Sequence, residues 1–147
     1  MIPGASYKFR IAAYNTLEAN NSFFDDVLNF SDPVTIIAAN EPDQITVFEQ
    51  PTTGYESGTV WLRWEAPENN GSEIIAYTLT RDVGSGVHYV IYSGPEAEYR
   101  DAGLQPGETY IYQVQAVNAR GSGALSAVLE TTASQVPGKI TDVHIKL

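Results

Sequence analysis

Cysteine is absent from this 147-residue chain, and basic side chains are scarce, with eight Lys and Arg against eighteen Asp and Glu. Without cysteine there is no disulfide framework, no thiolate metal site and no cysteine nucleophile. The compartment stays open, because β-sandwiches of this size fold without bridges inside or outside cells. A net charge of −10 leaves no basic stripe to recruit phosphates, so nucleic acid is not an expected partner. No run approaches the ~20 apolar residues of a membrane span, and Met1-Ile2-Pro3-Gly4 lacks the charged head of an export signal. Membrane insertion is therefore not expected in this segment. Histidine is limited to His88 and His144, far apart in the pattern, and there is no glycine-rich phosphate loop or metal-ligand spacing. No catalytic residue, no metal and no cofactor is expected, and the chain reads as a non-enzyme.

What is present favours strands. Nine Tyr, five Phe and two Trp accompany many Val, Ile and Thr, and twelve Gly with eight Pro supply turns. The most useful signal is self-similarity, since a segment repeated at domain-sized spacing means copies of one folding unit in series. Ile2 to Asn15 reappears as Gln105 to Asn118, with Pro, Gly, Tyr, Ala and Asn in register; Tyr7 matches Tyr110. Both copies run through a loop into a second strand, Ser31 to Ala39 and Ser126 to Ala133. Each then meets a Pro-containing link and a new strand, from Pro42 and from Pro137. The offset shrinks between these landmarks, so the first copy carries the longer loop, Thr16 to Phe30.

Period-2 alternation places strands at Ile45–Glu49, Thr59–Trp64, Ile74–Asp82, His88–Ser93 and Glu98–Asp101, followed by Thr109–Asn118 and Ala127–Thr132. Seven strands in this length is the count of an immunoglobulin-type sandwich. Val60, Leu62 and Trp64 alternate inward and lead into Glu65-Ala66-Pro67 and an Asn/Gly-rich loop. Ile74, Tyr77 and Leu79 follow, and then Leu104-Gln105-Pro106-Gly107-Glu108-Thr109-Tyr110. Together these residues resemble a fibronectin type III domain.

The resemblance implies an all-β, seven-stranded fibronectin type III-like β-sandwich with partial neighbouring domains at both ends. Residues 1–40 would be the last two strands of a preceding domain, 41–134 a complete domain, and 135–147 a link and first strand of a following one. Trp64, Tyr77, Leu104 and Tyr110 are the expected core, with Tyr7 as the counterpart in the first copy. Tyr110 would be the corner tyrosine, its ring inside and its hydroxyl bonded to backbone a few residues upstream. Two readings of the incomplete ends stay open: a section of a longer polypeptide, or terminal strands that complete another chain head to tail.

Trp61 falls on the face opposite Trp64, which makes it a candidate contact for a partner. Arg120 sits in the loop Asn118-Ala119-Arg120-Gly121-Ser122-Gly123, where some members of the resembled family carry Arg-Gly-Asp. Ser122 replaces that Asp, so integrin binding is not expected. Asn20, Asn29 and Asn70 head Asn-x-Ser sequons in expected loops and are candidate N-glycosylation sites. Expected partners are neighbouring fibronectin type III-like domains in the same or an adjacent chain, and a protein or glycan not named by the sequence. The resemblance implies a structural or adhesive module of an extracellular or cell-surface array, including a filament or surface coat. An intracellular cytoskeletal or ciliary scaffold and an accessory domain of a secreted enzyme are the alternatives.

Overall fold

The structure, a computed structural model, describes residues 1–12, 30–51 and 56–135. All regular structure among them is β, in ten strands. These are β1 (Ser6–Phe9), β2 (Val34–Ile37), β3 (Phe48–Glu49), β4 (Thr59–Trp64), β5 (Ile74–Asp82), β6 (Tyr89–Gly94), β7 (Glu98–Ala102), β8 (Thr109–Asn118), β9 (Gly121–Ser122) and β10 (Leu129–Thr132). One sheet runs β10-β8-β5-β6, with β9 folded back on β8; a second runs β3-β4-β7; β1 and β2 form a separate hairpin. Every strand pairing is antiparallel.

The core lies between the two larger sheets and follows from alternation. In β4, Val60, Leu62 and Trp64 point inward while Trp61 and Arg63 point out. In β8, Tyr110, Tyr112, Val114 and Ala116 form the opposing inner face, joined by Tyr77 and Leu79 from β5. Phe48 and Tyr77 meet the Trp64 ring edge-on, with centroids 6.1 and 5.6 Å away, and Tyr92 lies 6.2 Å off. Such aromatic contacts add about 1 kcal/mol each beyond area burial. The Trp64 indole N–H is buried without an acceptor among the described residues.

The first strand of the sandwich is shorter than its alternation predicts. Only Phe48 and Glu49 enter the ladder with β4. Ile45 is nevertheless 1% exposed, so this segment fills the core with a side chain while its backbone runs outside the sheet. The reason lies in the link before it, where Pro42 offers no donor and the Asp43 N–H is taken by the Glu68 carbonyl, holding the chain over the loop after β4. β10 likewise begins two residues later than expected, because Ser126 turns aside: its N–H goes to Val114 O and its hydroxyl accepts from Val114 N–H.

Candidate interaction surfaces

Tyr110 forms the expected corner: its hydroxyl accepts the Gln105 N–H at 3.0 Å, its ring is buried, and Leu104 beside it is buried too. The first hairpin repeats this corner bond for bond. Tyr7 accepts the Ile2 N–H at 2.6 Å, the same five-residue span. Gly4 N–H donates to Ala38 O as Gly107 N–H does to Ala133 O. Ala5 N–H bonds Ile2 O as Glu108 N–H bonds Gln105 O, and Ala38 N–H bonds Ala5 O as Ala133 N–H bonds Glu108 O. The surroundings differ. Tyr110 lies under a sheet, whereas Tyr7 is only half-buried, and Phe9, Val34 and Ile36 on its face of the hairpin are exposed. Tyr7 therefore does not sit in a core as expected, since no described element covers this face.

Trp64, Tyr77, Leu104 and Tyr110 come together in one core, while Trp61 and Arg120 lie apart on different faces. Trp61 is 38% exposed on the outer surface of the β3-β4-β7 sheet. Its cross-strand neighbour is Arg100, and Pro51, Arg63 and Glu98 complete a shallow groove of about 160 Å³ around it. Arg100 is held by Glu56. The result is an aromatic plate flanked by charges of both signs. Arg120 borders a larger cleft of about 530 Å³ between the hairpin and the sandwich, opposite Met1, Pro3, Ile36 and Ile37.

The sequons separate. Asn20 and Asn29 lie outside the described residues. Asn70 has its amide committed: Nδ2 donates to Glu41 O at 2.9 Å and to Asp43 Oδ1 at 2.8 Å. A glycan on that nitrogen would displace one of these bonds, so the folded chain disfavours Asn70 as an acceptor.

Two groups carry more of the structure than sequence reasoning gave them. Asp101 on β7 is 5% exposed and crosses the core to the other sheet. Both of its oxygens accept from Arg81 Nη1, and Oδ2 also accepts the Tyr112 hydroxyl at 2.9 Å. Burial works against the Arg81 charge, but the hydrogen bond and charge of Asp101 outweigh it and raise its pKa. Burial first, then Asp101, pushes the Tyr112 phenol well above its ordinary value. Asn118, 3% exposed at the end of β8, is the second. Its one signal in the sequence was its recurrence in register with Asn15.

These features match known proteins. A family model for the fibronectin type III domain covers residues 48–132. The chain belongs to the fibronectin type III family. It is 33% identical over 143 residues to human fibronectin type-III domain-containing protein 3A, covering 96% of this chain and 11% of that protein. It is 30% identical over 132 residues to human receptor-type tyrosine-protein phosphatase F, covering 87% of this chain and 6% of that one. The chain thus spans only a small part of these relatives. Among solved structures, the sixth fibronectin type III domain of human fibronectin type III domain containing protein 3 aligns with a TM-score of 0.59 at 27% identity, over 71% of this chain and 97% of that domain. As a fibronectin type III chain, it is a structural and interaction module.

Proposed function

We propose that this chain is a section of a tandem array of sandwiches that acts as a spacer and presents its outer faces to a protein or glycan partner, on a secreted or cell-surface protein. The observation that carries the array is the hairpin β1–β2, which reproduces the β8–β10 corner hydrogen bonds while exposing the face that β8 buries. A neighbouring sandwich supplies the missing cover, and β1–β2 are its last two strands. Residues 41–134 are the complete module, and 135–147 lead into the next. The likeness to a receptor-type phosphatase supports the surface location. Trp61 is the residue proposed to meet the partner, because it is a large aromatic on a strand face with no core role.

Negative-stain images of the native polypeptide test the array. A rod of regularly spaced beads is expected, and a single compact particle would overturn the reading. Location is tested separately by peptide mass spectrometry of native protein over Asn20 and Asn29. An N-linked glycan on either supports the secretory route, and bare acceptors with cytosolic fractionation support the alternative, an intracellular scaffold.

A further inference from the structure

We propose that Asn118, Asn70 and Gly71 form a clasp that holds consecutive modules at one fixed angle, making this end of the sandwich a docking face for the closing hairpin of the module before it. The inference rests on the reading of β1–β2 as part of a neighbouring sandwich. It starts from the buried Asn118 amide, whose Nδ2 lies 2.8 Å from Asn40 O, 3.2 Å from Asn69 O and 3.3 Å from Ser72 O. Its Oδ1 accepts the N–H groups of Arg120 and Gly121. One amide therefore ties together the end of β8, the loop after β4 and the link between units. A buried amide with its bonds met in one geometry resists rotation, because any turn of the link strands polar groups away from water.

Asn70 grips the same link from the other side. It adopts φ 53°, a left-handed conformation that Asn tolerates better than most residues. There its side chain holds Glu41 O and Asp43 Oδ1, while its carbonyl accepts the Asn40 N–H at 3.1 Å. With Asp43 N–H on Glu68 O, both ends of the link from Asn40 to Asp43 are bonded to the loop after β4.

Gly71 makes the direct contact with the hairpin. A Cβ at this position would stand 2.5 Å from Ala38 O and 2.9 Å from Gly4 Cα. Gly4 and Ala38 are bonded to each other in the hairpin corner, so the loop of one unit is pressed against the closing turn of the other. A link that merely spaced two modules would need neither this approach nor the buried amide. The partner this face fits is thus a Pro-Gly corner of the same fold, presented by the preceding hairpin.

The absence of cysteine makes the test direct. Spin labels on Lys8→Cys in β1 and Glu98→Cys in β7 report the separation of the two units by pulsed electron resonance. In the native polypeptide, where the preceding sandwich covers the hairpin, the parent should give a single narrow distance distribution. Asn70→Gly keeps the left-handed backbone and removes the side-chain amide, and Gly71→Ala adds a methyl that collides with the hairpin and strains a backbone held at φ 84°. Each should broaden the distribution by about twofold, toward the behaviour of a free linker, while the core Trp64 fluorescence melts with little change in midpoint. A broad distribution in the parent, or one as narrow as the parent in both variants, would overturn the clasp. A rod seen by imaging together with a broad parent distribution removes the clasp and leaves the array standing, whereas a compact particle removes the array itself.

Discussion

Asp101 is the residue through which the two sheets are chemically joined, since its carboxylate on β7 meets Arg81 of β5 and Tyr112 of β8. Removing one partner from such a site leaves the others desolvated and unpaired. Asp101→Ala should therefore cost about 3 kcal/mol, more than the loss of its small side chain implies. Tyr112→Phe, which keeps the ring and the Arg81 pair, should cost about 1 kcal/mol. Urea denaturation with unchanged slope measures both, and equal costs would show that the network is not shared as described. The raised Tyr112 pKa sets a pH dependence. Because the folded state holds the phenolic proton more tightly, its contribution is complete below the ordinary tyrosine range and is lost as pH rises beyond about 10. Tyr112→Phe should flatten that alkaline loss. Trp64 and Tyr110 were legible in the sequence because alternation and the Pro-Gly corner announce them. Asp101 was not, because its partners lie on other strands and nothing local marks a carboxylate as buried.

Strands and turns differ in how much they owe to local pattern. β4, β5 and β8 have the bounds that alternation predicts, since each carries buried side chains at alternate positions into the core. The strand at Ile45 was over-extended by the same reasoning, because its side chain is buried while the neighbouring link diverts its backbone. The turn after β5 depends on Asp82, which is 3% exposed and accepts from the Ser85 N–H and hydroxyl and from the Gly86 N–H. Burial alone would raise this carboxyl, but the Ser85 hydroxyl and the N–H groups of Gly86, Ser85 and Val83 outweigh it and hold it below its ordinary value. The turn's contribution is then present above the usual carboxylate range and lost as pH falls through the lowered pKa. Thermal midpoints from neutral pH to pH about 2 should fall less for Asp82→Asn than for the parent. β1–β2 behaves differently again. With Phe9 at 44%, Val34 at 60% and Ile36 at 50% exposure, it has no apolar cover on that face among the described residues. A two-stranded hairpin of this kind is marginal alone. Its amides should exchange with deuterium well before those of β5 and β8, and protection equal to theirs would show that the corner bonds suffice without a covering sheet.

Charge is distributed unevenly over the molecule. Residues 41–134 contain thirteen acidic and four basic side chains, a net charge of −9, so nearly all of the chain's −10 sits on the sandwich. Of the four arginines, Arg81 is already bound by Asp101 and Arg100 by Glu56. The remaining carboxylates face one another across the surface with few counter-charges, and their repulsion opposes the compact state. Salt acts unequally on these terms. The exposed Arg100–Glu56 pair contributes little and is readily screened, whereas the Arg81–Asp101 pair lies largely inside and is screened much less. Screening should therefore relieve more repulsion than it removes attraction. The thermal midpoint is expected to rise as sodium chloride increases from about 0.02 to 0.5 M, where the screening length shrinks to a few ångströms. Arg100→Gln, which removes one of the few surface cations, should steepen that rise. A midpoint that fell with salt would mean that surface ion pairs, and not self-repulsion, govern the electrostatics of this module.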